Sequence, residues 1–297
     1  MNFNELIGNE KIKQNLIKIL SNKKIAHSYM FIGTKGIGKK EFAKEFARGI
    51  LCTNENQKHC GNCKSCIEFV NRNNPDYYEI GLQDDENSIK IETIRQMQKK
   101  VQELPIVSER KVYIIDDSET LTKEAQNCLL KTLEEPPEFV TIILIVSNEN
   151  KILNTIKSRC LKIYFDNLSE EEIKKYINEN LEISGLNENV LKACGGSISK
   201  AQKIYARKEM YNELDNIFNN IEKYTLLDVV SKVEFLYKSK DEIHDILDYL
   251  NTIFIQKAKE NITYIDYIKY IEETKININT NCNYDMSIDK LIFNIFN

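Results

Sequence analysis

Apolar positions in the first half of the chain fall into short, nearly continuous runs separated by amphipathic stretches. The apolar runs cover positions 29–32, 77–80, 112–115, 140–146 and 161–165. Runs of this kind are typical of strands that are covered on both faces. The amphipathic stretches predict helices near 9–20, 38–51, 90–103 and 121–134. Strands that alternate with helices indicate a parallel sheet with helical crossovers, and therefore an α/β fold.

After Phe165 the strand-like runs stop and helical spacing takes over. Ser169 followed by Glu172 has the pattern of a capping box at a helix start. From Met210 onward, apolar residues recur three or four positions apart, which predicts a helical bundle and is more typical of a core than of a ligand site. We predict an α/β domain at 1–166, a small helical lid at 167–207 and an all-α domain at 208–297.

Composition and charge restrict the classes of function. The 297 residues carry 41 Lys and Arg against 45 Asp and Glu, a formal net charge of −4. This balance gives no general attraction for nucleic acid or for an acidic membrane surface. The amino terminus has no basic run followed by an apolar core, and no stretch reaches the roughly 18 apolar residues of a membrane span. We expect a multidomain cytosolic protein without membrane contact.

The segment Gly33–Lys40 follows a predicted strand, opens a predicted helix and matches the phosphate-loop pattern G-x-x-x-x-G-K. In such a loop, glycines at the positions of Gly33, Gly36 and Gly38 let backbone N–H groups surround a phosphate chain, and Lys39 reaches the terminal phosphates. The segment therefore predicts a nucleotide site. A glycine turn that holds no ligand is the alternative.

Two positions depart from the pattern of an ATPase. Ser or Thr normally ends the loop and holds Mg²⁺, but Lys40 carries an ammonium that cannot ligate a cation. After the strand at 112–115, Asp116 has the position of a metal-holding acid, whereas Asp117 replaces the longer Glu that usually orients the attacking water. Two solvated acids at a strand end are the alternative. Binding of ATP and Mg²⁺ at this degenerate site is thus left open.

Four of the eight cysteines lie within fifteen positions, at Cys52, Cys60, Cys63 and Cys66. Such clustering in a chain without a secretion signal favours metal over disulfides. Four thiolates suit a closed, tetrahedral, structural Zn²⁺ site that leaves no position for catalysis. An iron–sulfur cluster and free thiols are alternatives, and His59 is a further candidate ligand. We predict a zinc insertion at 52–66 that stabilises the fold.

Taken in order, these motifs resemble the bacterial clamp-loader subunits of the AAA+ class. The motifs that carry the resemblance beyond the loop and the cysteines are Asn74–Tyr78, Ile115-Asp116-Asp117, the string L-L-K-T-L-E-E-P-P at 129–137 and Ser158-Arg159-Cys160. The last two are very specific. The resemblance covers about residues 5–205. It implies an AAA+ phosphate-loop parallel-sheet domain with a zinc insertion and a helical lid, followed by an all-α collar that matches in position more than in sequence.

Within this family, the tau/gamma subunits hydrolyse ATP and the delta-prime subunit characteristically does not. Lys40 stands where the family's ATPases have Thr or Ser, and Asp117 where they have Glu. In the segment Gly196–Ala201, which resembles the second sensor motif, Ser199 occupies the position of an Arg, with Lys200 beside it. Three departures at three elements of one site point to the delta-prime type, which has no ATPase activity of its own.

The resemblance also implies a role for Arg159, which this chain retains. In the family this arginine enters the ATP site of the neighbouring subunit, where a guanidinium stabilises charge on the transferred phosphate. Without the surrounding motifs, Arg159 would be interpreted as a solvated surface residue. Ser147 and Asn148 stand where a sensor residue would touch a γ-phosphate.

These observations lead us to expect a delta-prime-like subunit of the DNA polymerase III clamp loader with structural Zn²⁺. Its expected partners are the gamma/tau and delta subunits and, through the complex, the sliding clamp and primed DNA. One alternative is an active gamma/tau-type ATPase that uses Lys39 and Asp116, which the three departures disfavour. Another is a free-standing nucleic-acid-binding zinc protein, which the negative net charge and the lack of interleaved aromatic and basic residues around 52–66 disfavour.

Overall fold

The computed structural model describes residues 3–54, 59–83, 86–180, 188–280 and 282–296. Its contacts divide the chain into two compact units, Met1–Glu172 and Ile173–Asn297. Positions 55–58 of the predicted zinc insertion and 181–187 of the predicted lid lie outside the described residues. The boundary near 207 between lid and collar stays a prediction.

The first unit alternates strands and helices. In chain order its elements are α1 (Glu10–Ser21), β1 (Ser28–Ile32), α2 (Lys39–Leu51), α3 (Lys64–Val70), β2 (Tyr77–Ile80), α4 (Ile91–Val101), β3 (Lys111–Ile115), α5 (Lys123–Glu134), β4 (Val140–Val146), α6 (Asn154–Lys157) and β5 (Leu161–Tyr164). The five strands form one parallel sheet in the order β2-β3-β4-β1-β5. The predicted α/β fold is confirmed.

Both faces of the three central strands, β3, β4 and β1, are buried, which explains why these strands are mostly apolar, whereas the edge strands β2 and β5 are partly exposed. On β1, Tyr29 and Phe31 point to one face and pack with residues of α1 and α2, such as Phe46. Met30 and Ile32 point to the other face and pack with residues of α4 and α5. Because neighbouring residues of a strand face opposite sides, a central strand between two helical layers has apolar residues at successive positions.

Buried Asp76 explains part of the Asn74–Tyr78 motif. Its carboxylate accepts hydrogen bonds from three consecutive backbone N–H groups, at residues 106–108, with lengths of 2.7–2.8 Å. Asn74 accepts a bond from the Asp76 N–H at 2.9 Å and donates to the Ser65 carbonyl oxygen at 3.0 Å. The motif therefore connects β2 with α3 and with the loop that precedes β3.

A capping box starts the next helix, as the sequence predicts. The backbone N–H of Ser169 donates to the Glu172 carboxylate at 2.8 Å, and the Ser169 hydroxyl accepts from the Glu172 N–H at 3.2 Å. These reciprocal bonds satisfy donors that a helix start leaves without an intrahelical partner. This helix is α7 (Glu170–Asn180).

The second unit is helical throughout its described residues. After α7 its helices are α8 (Glu188–Cys194), α9 (Ile198–Ala206), α10 (Lys208–Asn219), α11 (Leu226–Lys232), α12 (Glu234–Lys238), α13 (Ile243–Glu260), α14 (Ile265–Asn279) and α15 (Tyr284–Phe296). α13 packs against α8, α10 and α14, and α15 packs against α11, α12 and α14. Leu214, Ile246, Leu250, Phe254 and Leu291 are among the buried side chains. The predicted helical carboxy-terminal region is confirmed.

None of the helices in the described part of the chain combines the length and the apolar character that crossing a membrane requires.

Candidate functional site

The phosphate-loop segment lies at the carboxyl edge of the sheet and joins β1 to α2. Gly36 and Gly38 have φ angles of 81° and 94°, in the left-handed region that favours glycine. Gly33 is required by close approach instead, because a Cβ there would lie 2.9 Å from the Phe165 carbonyl oxygen and 2.8 Å from Cδ1 of Ile37. α2, a helix of 13 residues, begins at Lys39, within the last two residues of the segment.

Replacing Gly33 by alanine is expected to lower the free energy of unfolding by about 1–3 kcal/mol, because the backbone oxygen of Phe165 cannot move away as a side chain can. Gly81→Ala is a matched control, since its Cβ would meet its nearest neighbour, Cβ of Asp116, at an ordinary 3.7 Å. Urea unfolding measures both variants. Equal stability of the two variants would contradict the close approach.

The Lys39 side chain binds backbone and side-chain oxygens of the loop and of the strand end beside it. This side chain is buried, and the ammonium donates to the carbonyl oxygens of Gly33 and Thr34 at 2.6 and 2.8 Å and to Oγ of Ser147 at 3.1 Å. The predicted phosphate-binding lysine and the predicted sensor residue therefore meet. Burial lowers the pKa of Lys39 to about 8, and nearby carboxylates such as Glu119 oppose this shift.

The lowered Lys39 pKa predicts a pH dependence of stability. In the unfolded chain the amine keeps a pKa near 10.5, so between about pH 8 and pH 10.5 the unfolded state binds more protons than the folded state. The free energy of unfolding of the wild type should therefore rise with pH in this window, relative to Lys39→Met. Denaturant unfolding at a series of pH values tests this, and a constant difference between the two proteins would contradict it.

Lys40 forms an ion cluster at the position where an ATPase loop holds its metal. The ammonium lies 2.9 Å from Oδ2 of Asp116 and also contacts the Glu79 carboxylate. Burial by itself lowers the Lys40 pKa, but the bonds to Glu79 and Asp116 outweigh burial and raise it. Burial raises the Glu79 pKa, but Lys40, Lys44 and the Tyr77 hydroxyl together outweigh burial and hold this pKa below its usual value.

Glu79 was not identified from the sequence, although a signal exists. A single carboxylate interrupts the otherwise apolar and aromatic run at 77–80. Its role depends on the register of β2 beside β3, which pairs Glu79 with Ile114 and thereby brings it near Asp116.

Asp117 and Glu119 complete the acidic groups near the loop. Asp117 accepts a bond from the Lys35 ammonium at 3.1 Å and has a φ of 44°. Glu119, two residues further on, accepts from the Ser147 N–H at 3.1 Å. A glutamate is thus present at position 119, two residues after the position where an ATPase has one, but it binds the residue that follows β4.

Arg159, the predicted arginine finger, follows α6 and is about one-third exposed. One Nη donates to the Thr155 carbonyl oxygen at 2.8 Å, and the other lies 2.8 Å from the carboxylate of Glu134. The Arg159 carbonyl oxygen accepts from the Ser28 hydroxyl at 2.6 Å, which attaches the segment to β1. Glu134 belongs to the L-L-K-T-L-E-E-P-P string, so this bond joins the two most specific motifs of the chain.

The second sensor segment lies at the start of α9. Ser199, at the expected arginine position, is exposed. Lys200, its neighbour, donates to Oδ2 of Asp248 at 2.7 Å and lies 3.8 Å from Asp245. The Lys200 ammonium is thus bound by carboxylates of the helical unit itself.

The four clustered cysteines converge. Their sulfurs all lie within 4.8 Å of one another, with 3.6 Å between Cys52 and Cys60 and 4.0 Å between Cys52 and Cys63. A tetrahedron with Zn–S bonds of about 2.3 Å has edges of about 3.8 Å, so the residues fit Zn²⁺. The N–H of Cys66 donates to the Cys63 sulfur at 3.4 Å, as expected for a sulfur that carries negative charge.

His59 is not part of this cluster of convergent ligands. Its Nε2 lies 2.6 Å from the Glu45 carbonyl oxygen, and its ring packs edge-on against Phe3 at 5.1 Å between centroids. The set of convergent ligands found in the described part of the chain consists of the four cysteines. His59 therefore attaches the insertion to α2 rather than serving as a ligand.

A known protein family matches this chain over the part that contains the candidate site. The model described as DNA polymerase III, delta subunit, matches residues 8–169, more than half of the chain. The chain belongs to the DNA polymerase III delta-subunit family. This family match contains the phosphate loop, the cysteine cluster, the ion cluster around Lys40 and Arg159.

Relatives of this delta-family chain carry gamma and tau names. DNA polymerase III subunit tau/gamma of Haemophilus influenzae is 36% identical over 176 residues, which cover 59% of this chain and 25% of that protein. Subunit tau of Bacillus subtilis is 30% identical over 283 residues, which cover 91% of this chain and 49% of that protein. The chain thus spans about a quarter to a half of the length of these curated relatives.

A solved structure shares the fold of this delta-family chain. The crystal structure of a DNA polymerase III gamma subunit-related protein from Thermotoga maritima matches with a TM-score of 0.51 and 18% identity. The match covers 94% of this chain and 98% of that one. The likeness shows the fold alone, a five-stranded parallel sheet domain followed by a helical region.

Proposed function

We propose that this chain is a delta-prime-like subunit of the DNA polymerase III clamp loader that has no ATPase activity of its own. It acts in the cytoplasm, completes a ring with gamma/tau and delta subunits, and provides Arg159 to the neighbouring ATPase. Through the complex it helps to place the sliding clamp on primed DNA. Membership of the delta-subunit family and the names of the relatives support the clamp-loader assignment.

One observation carries the proposed lack of ATPase activity, namely the bond between Lys40 and Asp116. Hydrolysis at a phosphate loop needs a metal that bridges the phosphates, held by a hydroxyl and an acid. Here the hydroxyl is replaced by an ammonium, and the acid is bound to that ammonium. The site therefore lacks the hydroxyl that would hold Mg²⁺, and its acid is engaged by Lys40 instead.

The position of Arg159 supports a role in trans. A guanidinium has five N–H donors, and the contacts with Thr155 and Glu134 each use one of its two terminal nitrogens. The side chain remains about one-third exposed, so other donors can reach a phosphate of a neighbouring subunit. Its bond to Glu134 is a surface ion pair, worth at most about 1 kcal/mol, which a phosphate can displace.

An active gamma/tau-type ATPase is the second candidate. The names of the relatives favour it, as does the retained Lys39. The two candidates differ in what the isolated chain does with ATP, since a gamma/tau-type subunit uses its own loop.

ATP hydrolysis by the purified chain distinguishes the candidates. We expect phosphate release no faster than that of Lys39→Ala, because the loop lacks its metal-holding hydroxyl and Lys40 engages Asp116. Adding the chain to gamma/tau and delta subunits should increase the ATPase that clamp and primed DNA stimulate. Turnover by the chain alone at the rate of a gamma/tau subunit, lost on Lys39→Ala, would favour the second candidate.

A further inference from the structure

Lys40 lies at a meeting point of three structural elements. A phosphate-loop site binds its metal at this place. Lys40 is the second residue of α2, Asp116 directly follows β3, and Glu79 belongs to the neighbouring strand β2. Glu79 is paired with Ile114, and Asp116 is two residues beyond Ile114, so both acids point to the face of the sheet that α2 covers. The Lys40 ammonium bonds to both acids.

We propose that the Lys40 ammonium is the built-in cation of this site, which takes the position of the divalent metal and excludes Mg²⁺. The proposal rests on the proposed function only in treating the loop as a degenerate nucleotide site. It goes beyond the loss of a metal ligand, because it assigns to Lys40 the charge that the metal would supply.

The charges around Lys40 support this assignment. Both oxygens of Asp116 are engaged, Oδ1 by the Asp117 N–H at 3.0 Å and Oδ2 by Lys40. Glu79 also accepts from the Tyr77 hydroxyl at 3.1 Å, and the Lys44 ammonium lies 3.9 Å from it. A divalent ion would have to displace the ammonium from both acids and would repel it at short range.

The ammonium also offsets the repulsion between two acids that both contact it. Like charges at close range raise the pKa of one carboxyl or require a cation between them. Lys40 lies between Asp116 and Glu79 and meets this requirement through a covalent attachment to α2. The shifted pKa values of Lys40 and Glu79 agree with this geometry.

Binding of Mn²⁺ to the zinc-loaded whole chain tests the proposal, counted by the electron paramagnetic resonance signal of free Mn²⁺. Mn²⁺ prefers oxygen ligands, as Mg²⁺ does. Lys40→Thr restores a hydroxyl, and Lys40→Met only removes the charge. Both should bind one Mn²⁺ at least about tenfold more tightly than the wild type, the order that Coulomb's law gives for one charge and a divalent ion.

Two controls locate the new ion. Lys44→Thr removes a charge one turn along α2, near Glu79, and should leave Mn²⁺ binding as in the wild type. Asp116→Asn in the Lys40→Thr background should abolish the gain. Circular dichroism checks that each variant is folded.

Two results would overturn the proposal. One is a wild-type chain that binds an Mn²⁺ which Asp116→Asn removes. The other is that both folded Lys40 variants bind no more Mn²⁺ than the wild type. The measurement uses the free chain without partner subunits, so its failure is separate from failure of the role in trans.

Discussion

Arg159→Ala should slow ATP hydrolysis at the neighbouring site of a reconstituted clamp loader by about a thousandfold or more. An arginine that stabilises the charge of a transferred phosphate in trans contributes about 10³–10⁵ in rate. Phosphate release is measured in a single turnover of the complex. In the complex with Arg159→Ala, the fast phase of the neighbouring site should be missing, while the other sites still release phosphate. The substitution removes an exposed surface ion pair with Glu134, so the variant should stay folded.

Two companion variants show whether the guanidinium itself matters. Arg159→Lys keeps the charge but loses the planar fork, so it should recover only a small part of the rate. Lys157→Ala removes a positive charge from the same short segment and should leave the rate unchanged. Equal rates for Arg159→Ala and the wild type would remove the role in trans, as would an equal loss for Lys157→Ala.

Loss of zinc should have the largest effect on stability. Metal analysis is expected to find about one zinc per chain, and Cys63→Ser should lose it, because Cys63 belongs to the convergent cluster. Structural zinc sites bind with about 10–16 kcal/mol in small peptides near pH 7, so the insertion should open without the metal. Limited proteolysis should then cut within 52–66, while the parallel sheet keeps its circular dichroism signal.

Cys282→Ser is the matched control, since Cys282 is an exposed cysteine outside the cluster. It should keep the zinc and the protease resistance. A native chain that contains no metal and has four reactive thiols at the cluster would contradict the zinc prediction.

The sequence was sufficient to predict the five strands and the four longer helices of the first unit, but not its short helices α3 and α6. Each β-type run became a strand with ends within about one residue, because the central strands are buried on both faces and the edge strands β2 and β5 keep mostly apolar or aromatic residues. The capping box at Ser169 was also readable, since it depends on residues three apart. These signals are local, so they can be recognised in the sequence without knowledge of the tertiary structure.

The contacts within the candidate site were not readable in the same way. The sequence identified Lys40 as a misfit and Arg159 as a retained residue, but not their partners Glu79 and Glu134. Both partners are distant in the chain, and each contact depends on how strands and helices are placed against each other. The sequence therefore shows that position 40 lacks a hydroxyl. The contacts of the Lys40 charge with Glu79 and Asp116 are shown only by the structure.

The measurement that tests the central claim most directly compares Lys39→Ala with Arg159→Ala in the reconstituted complex. If the chain acts only in trans, Lys39→Ala should leave the ATPase stimulated by clamp and primed DNA at the wild-type level, while Arg159→Ala removes the fast phase. Loss of the fast phase in Lys39→Ala, together with wild-type turnover in Arg159→Ala, would show that the chain's own loop hydrolyses ATP.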